Sequence, residues 1–343
     1  MTTQEASITR PVTPAGDGGA AAIRPIFVLS APRSGSTLVQ RMLAAHPTVA
    51  TAAEPWLLLP LLGGPRTDLP DVASWHRNAA VGIREFAKDY LPGGMTDYDR
   101  AMRRAALDLY ARVAGPGATH FVDKTPGYAI IADDLARVFP DAAIVFLWRN
   151  PLGILASIID TFDAGAFRPY HQVLPLFDGP ARMVDTQLRL GDRVTPVRFE
   201  DAIARDPETL RRLSAATGLQ YTPETVNGFT EVHIPGYYGD PTGVHRYQRL
   251  STEPTEKWRQ VLGNPVRRAW ARRYLRWLGR ERLQVMGYDL DDLLTQAAEL
   301  PSSPTDIGQT AAKDAVGLTA SMLRDTVKAR AAFSSTSTWR RLL

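Results

Sequence analysis

The sequence predicts an α/β protein with three layers, in which helices cover both faces of a mainly parallel β-sheet and extra helices lie outside it. Apolar segments alternate with amphipathic ones along the 343-residue chain, as in repeated strand–helix units. Each apolar segment is hydrophobic enough for a strand that is buried on both faces of a parallel sheet. The predicted strands cover residues 26–30, 120–122, 143–148 and 194–199.

The chain divides into a leader, one large domain and a tail. Residues 1–24 mix Thr, Pro, Gly and Ala, which favours a flexible leader. The domain is expected over residues 25–300, and the tail over residues 301–343 is expected to be partly helical or mobile. Its Ala-rich sequence allows a weakly amphipathic helix that could dock on the domain or pair with another subunit. The predicted helices of the domain cover residues 36–45, 81–90, 97–113, 127–139, 151–162, 181–191 and 207–217.

Residues 25–43 join the first strand to an amphipathic helix through a turn rich in small hydroxylated residues. The N–H groups that open a helix have no intrahelical acceptor and lie at the positive end of its dipole, so this P-loop-like turn can hold a phosphate. Arginine in the turn adds a planar set of donors that can clamp a phosphate or a sulfonate. The predicted phosphate-binding residues are Arg33, Ser34, Gly35, Ser36 and Thr37.

The turn differs from the Walker loop of nucleoside triphosphatases. The Walker pattern ends in Gly-Lys-Ser/Thr, where Lys binds the β- and γ-phosphates and Ser/Thr binds magnesium. Residues 30–37 contain one Gly and no Lys. A strand followed by Pro-Arg-Ser-Gly-Ser-Thr-Leu resembles the 5′-phosphosulfate loop of sulfotransferases, which use 3′-phosphoadenosine-5′-phosphosulfate (PAPS) as the sulfonate donor.

A second motif, at residues 143–157, predicts a buried strand, a turn and a helix that Pro151 could open. It resembles the element that holds the 3′-phosphate of the donor in the same family. The resemblance implies that Arg149 and Ser157 bind this phosphate. The two residues are 157 − 149 = 8 positions apart, which places Ser157 about two helical turns beyond Arg149.

Structural roles stay open for these residues. Arg33 could pair with a carboxylate at a helix start, and Ser157 could hydrogen-bond to its own helix. Arg149 ends an apolar strand, so its charge needs a partner. That partner could be a phosphate, but Asp160 or Asp201 could also supply it.

A third motif, Phe-Val-Asp-Lys-Thr-Pro at residues 121–126, is a short apolar strand that must end at the proline. It resembles a segment of the protein-tyrosine sulfotransferases and their bacterial relatives, in which a Lys lies near the transferring sulfonate. The resemblance assigns that role to Lys124. A solvated loop charge is the structural alternative for this lysine.

A fourth motif covers residues 46–56 and contains His-Pro followed by Glu54. In the same branch of the family, a Glu after His-Pro is the general base that accepts the proton of the acceptor hydroxyl, and Glu54 matches it. The alternative is that Glu54 caps a helix beginning at Trp56, since carboxylates are favoured at helix starts. The other candidate bases are His46, which more simply ends a helix, His233 and His245.

Later segments carry weaker signals. Residues 244–259 occupy the place of the family's late donor-binding loop, although the Arg-Lys-Gly signature of cytosolic sulfotransferases is missing. Trp258 is expected to pack in the core, and the aromatic turn at 236–243 could cover an acceptor or the adenine. Glu200 and Asp201 follow a strand and are expected to cap the next helix. The expected donor contacts in the late loop are Arg246, Arg249 and Ser251.

The resemblance covers most of residues 26–288 and implies a sulfotransferase that needs no metal. In the implied reaction, Glu54 is the base, and Lys124 and Arg33 are the catalytic cations that stabilise charge on the sulfonate and the leaving phosphate. The acceptor is expected to be a hydroxylated small molecule, a carbohydrate or a lipid, with polyketides and peptidyl tyrosine also open. Loops at 57–77 and 162–174 are expected to set acceptor specificity. Two other hypotheses of function stay open: a P-loop kinase or NTPase, and a nucleotide-binding protein without catalysis.

Composition narrows the remaining choices. The chain has no Cys, which excludes disulfides, thiolate metal sites and a Cys nucleophile. Its net charge is +4 without a Lys/Arg run, so nucleic acid is not an expected partner. No secretory signal is evident, and no apolar span approaches the ~20 residues of a membrane helix. These features predict a cytoplasmic protein without an integral membrane span, and a homodimer is possible.

Overall fold

A computed structural model describes most of the chain and contains one five-stranded parallel sheet with the strand order β2-β3-β1-β4-β5. The described residues are 23–66, 76–161, 163, 165–234, 253–300 and 307–331. The strands are β1 (Arg24–Ser30), β2 (Val49–Thr51), β3 (His120–Asp123), β4 (Ala143–Trp148) and β5 (Thr195–Arg198).

Helices surround the sheet. Those in the first half of the chain are α1 (Ser36–Ala44), α2 (Leu58–Gly63), α3 (His76–Tyr90), α4 (Met95–Ala114), α5 (Ala132–Val138), α6 (Pro151–Thr161) and α7 (Gly179–Leu190). Those in the second half are α8 (Phe199–Ala204), α9 (Pro207–Thr217), α10 (Pro223–Asn227), α11 (Glu253–Val261), α12 (Pro265–Val285), α13 (Leu290–Ala298) and α14 (Ile307–Ala331). Within the described ranges, none of them has the length and apolar character needed to cross a membrane.

The central strand β1 sends alternate side chains to two separate cores. Ile26 and Val28 pack with residues of α1, α8 and α9 on one face. Phe27 and Leu29 pack on the other face with residues of α4 to α7 and α12. Successive residues of a strand point to opposite faces, so an apolar run without alternation requires helices on both sides. The three-layer α/β/α fold predicted from the sequence is therefore confirmed.

The strand order makes the connections of the chain diverge between β1 and β4. The chain leaves β1 toward β2 on one side of the sheet and leaves β4 toward β5 on the other side. Parallel sheets bind ligands at the carboxyl ends of neighbouring strands whose connections diverge in this way. The turns after β1 and after β4, which carry the first two sequence motifs, both lie at this point of the sheet.

Several predicted boundaries were wrong. Strand β2 was not predicted, because three residues are too few to show a pattern. The helix predicted over 127–139 is a 3-10 helix, Pro126–Ile131, followed by α5. Arg24 was placed in the leader, yet it begins β1 and pairs with His120.

Residues 307–331 of the tail form the long helix α14, and several of its described side chains contact the domain. Arg267 of α12 and Asp314 of α14 form a buried ion pair, with 2.6 Å between Nε and Oδ2. Leu318 and Met322 pack against the larger core. The helix α14 thus docks on the domain, which is one of the arrangements that the sequence allowed.

Candidate active site

The turn after β1 has the backbone shape of an anion-binding loop. Arg33 and Gly35 both have left-handed conformations, with φ of 70° and 81°. A Cβ atom at Gly35 would lie 2.3 Å from Cε2 of Phe199, so only glycine fits here. The first intrahelical bonds of α1 run from Leu38 and Val39 to the Gly35 carbonyl. The N–H groups ahead of these two residues therefore have no acceptor within the helix.

Two serine hydroxyls in this region are suited to an anionic ligand. Ser30 and Ser34 are 0% and 1% exposed, and their Oγ atoms have no hydrogen-bond partner among the residues that the structure describes. A buried hydroxyl without a partner costs free energy. Ser36 is also buried and Thr37 is half-buried. The donor set fits a phosphate or sulfonate better than an apolar ligand.

Side chains from the turn after β4 contact the first loop directly. The NH1 group of Arg149 donates a hydrogen bond to the Arg33 carbonyl at 2.8 Å. Nε of Arg33 donates to Oγ of Ser157 at 3.1 Å. The Arg149 guanidinium also lies 4.8 Å from the ring centroid of Phe199. Three residues that the sequence assigned to two separate phosphate-binding motifs thus form one cluster.

The carboxylates that could have paired with Arg149 have other partners in the structure. Asp160 pairs with Lys257 at 2.5 Å, and Asp201 lies 3.7 Å from Arg198. The Ser157 hydroxyl accepts a hydrogen bond from Arg33, which lies outside its own helix.

The other two predicted catalytic residues form an ion pair. Nζ of Lys124 lies 2.6 Å from Oε1 of Glu54, and the two side chains are 1% and 12% exposed. Lys124 is therefore a buried cation and not a solvated loop charge. Glu54 does not cap the following helix, which begins at Leu58 and whose Leu58 N–H donates to the Tyr128 hydroxyl at 2.8 Å.

Residues 25–223 match the sequence model of a family described as the sulfotransferase family. This chain belongs to the sulfotransferase family. The nodulation protein NoeE of Sinorhizobium fredii is 35% identical over 220 residues, which cover 57% of this chain and 50% of NoeE. Protein-tyrosine sulfotransferase 1 of Danio rerio is 26% identical over 194 residues, which cover 55% of this chain and 51% of the relative. The chain thus spans about half the length of these curated relatives.

Two solved sulfotransferase domains are similar to this chain. The sulfotransferase domain from the curacin biosynthetic pathway matches with a TM-score of 0.47 and 20% identity, covering 70% of this chain and 91% of that domain. The sulfotransferase domain from the olefin synthase of Synechococcus PCC 7002 matches with a TM-score of 0.45 and 20% identity, covering 71% and 90%.

A buried carboxyl group, which was not predicted from the sequence, lies beside the ion pair. Asp123 is 0% exposed and accepts hydrogen bonds from the Tyr110 hydroxyl at 2.5 Å and the Thr125 hydroxyl at 3.1 Å. Burial raises its pKa from 3.8 to about 6, although these hydroxyls and Lys124 oppose the shift. Its place directly before Lys124 in the third motif is the signal that could have identified it.

Trp56 links the two segments that carry the ion pair. Its φ of 53° is left-handed, which is rare for a bulky residue and marks backbone strain. Its ring lies over Gly127, where a Cβ atom would be 2.7 Å from Cζ3 of the indole. Since 37% of Trp56 is exposed, an aromatic surface borders the site two residues after Glu54.

The remaining candidates fall outside the site or outside the described residues. His46 has its Nδ1 3.1 Å from the Thr48 hydroxyl and packs edge-on against Tyr221, so it stabilises the turn after α1. His233 is exposed. In the part of the chain that the structure describes, no group of three or more acidic or His residues could hold a metal ion. The predicted residues outside the described ranges are Arg246, Arg249, Ser251 and His245, together with the turn at 236–243.

Proposed function

We propose that this protein transfers a sulfonate from PAPS to a hydroxyl group of an acceptor. The observation that carries the proposal is the direct contact between the two phosphate-binding motifs, through the Arg149–Arg33 and Arg33–Ser157 hydrogen bonds. A nucleotide with phosphates at both its 5′ and 3′ positions needs two such sites close together. The family membership of the chain supports the same donor.

Donor binding is assigned to the carboxyl ends of β1 and β4. The loop N–H groups, together with the hydroxyls of Ser34, Ser36 and Thr37, bind the 5′-phosphate. Arg149 and Ser157 bind the 3′-phosphate and so select this donor over ATP. Arg246 and Ser251 stay predictions for the late donor-binding loop.

Sulfonate transfer is assigned to the ion pair and to Arg33. PAPS supplies a sulfonate joined to a phosphate leaving group. Glu54 accepts the proton of the acceptor hydroxyl while the hydroxyl oxygen forms a bond to sulfur. Lys124 stabilises charge on the sulfonate. The bond from sulfur to the phosphate oxygen breaks, and its electron pair stays on the phosphate, which Arg33 and the loop hold. The step balances without a metal.

The short contact between Glu54 and Lys124 restricts where the reaction takes place. With 2.6 Å between Nζ and Oε1, an acceptor oxygen that approaches Glu54 also comes within reach of Lys124. The attacking oxygen and the sulfonate are then held next to each other, and holding two reactants in this way raises the reaction rate. The ion pair must loosen when the acceptor enters.

The proposed acceptor is a hydroxylated small molecule, a carbohydrate or a lipid. One relative named above is a protein-tyrosine sulfotransferase, so tyrosine peptides also belong among the acceptors to be tested. A homodimer and a cytoplasmic location stay predictions for this chain.

Radiolabelled PAPS tests the proposed function. We expect the purified protein to transfer label to at least one compound in a panel of hydroxylated sugars, lipids, alcohols and tyrosine peptides, with release of 3′-phosphoadenosine-5′-phosphate (PAP). Mass spectrometry of the labelled product identifies the acceptor. Magnesium-dependent turnover of ATP would instead favour a kinase or NTPase. Tight binding of PAPS without transfer to any compound would favour a nucleotide-binding protein.

A further inference from the structure

Glu200, the second residue of α8, binds a neighbouring turn instead of capping its own helix as the sequence analysis expected. Its Oε1 accepts a hydrogen bond from the backbone N–H of Asn150 at 3.0 Å. Its Oε2 accepts one from the hydroxyl of Tyr288 at 2.7 Å. The start of α8 has no side-chain cap, with Arg198 at the N-cap position. The carboxylate therefore joins the turn after β4 to a tyrosine near the end of the domain.

The turn held by Glu200 is the one that presents Arg149. Asn150 directly follows Arg149, and its own side chain accepts from the Leu152 N–H at 2.9 Å, which fixes the first turn of α6. The Glu200 hydrogen bond fixes the peptide group between Arg149 and Asn150. Because the guanidinium of Arg149 also packs on Phe199, two successive residues of α8 contact Arg149 or the peptide that follows it.

Tyr288 keeps the Glu200 carboxylate in place. It lies between α12 and α13 and is 8% exposed, and it belongs to a part of the chain beyond the family match at 25–223. Its ring is covered by the Arg198 guanidinium, 4.7 Å from the centroid. Burial and the nearby Glu200 carboxylate raise the pKa of Tyr288 well above its usual value. The hydroxyl therefore stays protonated and donates.

We propose that Glu200 and Tyr288 are positioning residues, which hold the turn after β4 so that Arg149 points at the 3′-phosphate of the donor. The proposal rests on the proposed function, because it assumes that Arg149 binds this phosphate. Preference for a 3′-phosphorylated nucleotide then depends on a hydrogen bond contributed from outside the nucleotide-binding motifs. Neither residue contacts the nucleotide in this arrangement.

Affinities for two nucleotides distinguish positioning from general stabilisation. PAP carries the 3′-phosphate and adenosine 5′-monophosphate lacks it, so their affinity ratio reports on the Arg149 site alone. We expect Tyr288→Phe and Glu200→Ala to lower the affinity for PAP by about tenfold, the scale of a lost hydrogen bond to a charged group. Binding of adenosine 5′-monophosphate should be unchanged. Calorimetry and competition binding measure the two constants.

Two further variants sharpen this experiment. Glu200→Gln keeps a side-chain oxygen that can accept from the Asn150 N–H, so it should restore most of the PAP affinity lost in Glu200→Ala. Tyr274→Phe is the matched control, because it removes a buried tyrosine hydroxyl on the preceding helix α12, which donates to the Leu176 carbonyl at 2.6 Å. It should change neither affinity. Urea denaturation of each variant checks that it is folded.

The outcomes separate the two proposals. If both nucleotides weaken equally, or if PAP affinity does not change in Tyr288→Phe and Glu200→Ala, the positioning role is overturned and the proposed function stands. If the wild-type protein binds PAP no better than adenosine 5′-monophosphate, the 3′-phosphate site itself is wrong and both proposals fail.

Discussion

The donor and acceptor sides of the candidate site are built in different ways. The donor side consists of two strand–turn–helix units, and within each unit the binding groups lie close together in the sequence. The acceptor side depends on one ion pair, Glu54–Lys124, between residues 70 positions apart. Behind that pair lies a buried carboxyl group. We therefore expect changes on the donor side to act on nucleotide affinity, and changes on the acceptor side to act on turnover.

Removal of Lys124 should have the largest effect on turnover. Lys124→Ala deletes the cation assigned to the sulfonate and leaves the largely buried Glu54 carboxylate without its partner. Loss of one group that stabilises transition-state charge commonly costs about a hundredfold to a thousandfold, and we expect about a thousandfold here. PAP affinity should stay within about twofold.

The control for this prediction is Lys88→Ala, which changes an exposed lysine of α3 and should leave turnover as it is. A Lys124→Ala protein that binds PAP much more weakly, with little change in the rate at saturating donor, would place Lys124 on the donor side. That result would break the comparison.

Asp123 should make stability depend on pH in a direction unusual for a carboxylate. In the folded protein its pKa is about 6, against the ordinary 3.8 of the unfolded chain. Between these values the folded state keeps a proton that the unfolded state has lost, so the free energy of unfolding falls as pH rises. The total change is about 3 kcal/mol. Above pH 6, the full destabilising effect is present.

Asp123→Asn cannot titrate and isolates this effect. Relative to the wild-type protein, the variant should gain about 2 kcal/mol of unfolding free energy between pH 4 and pH 7, as measured by urea denaturation at both values, because part of the total change has already occurred at pH 4. Asp141→Asn, at an exposed carboxylate paired with Arg103, should show no such gain. If the difference between Asp123→Asn and the wild-type protein is independent of pH, the carboxyl group is not protonated in the folded state.

Glu54→Gln should lower turnover by roughly a hundredfold or more, as for a lost general base. The variant keeps the size of the side chain and a hydrogen-bond acceptor for Lys124, so PAP affinity should be preserved. Initial rates with saturating PAPS measure the effect. Glu208→Gln, at an exposed residue paired with Arg211 at 2.6 Å, is the matched control. Retained turnover in Glu54→Gln would move the base to another residue.

The difference between the two sides also explains what the sequence could predict. The elements β1, α1, β4 and α6 follow from local patterns, because each turn lies between an apolar strand and a helix. Glu54 and Lys124 could be nominated one at a time from their motifs. Their contact depends on β2 pairing with β3, and the three-residue β2 leaves no sequence pattern. The Glu200–Tyr288 hydrogen bond, across 88 residues, has no local signal.

Arg149→Ala should have the smallest of these effects, and it tests the donor side. We expect it to weaken PAP by about 2 kcal/mol or more, the scale of one charge-assisted contact and close to thirtyfold. Turnover at saturating PAPS should change much less, because Glu54 and Lys124 are untouched. Arg189→Ala, at an exposed arginine paired with Asp133 at 2.6 Å, controls for the loss of a charge. Unchanged calorimetric affinity for PAP would remove the 3′-phosphate assignment, and a loss of turnover at full saturation would show that the two sides are coupled through the Arg149–Arg33 hydrogen bond.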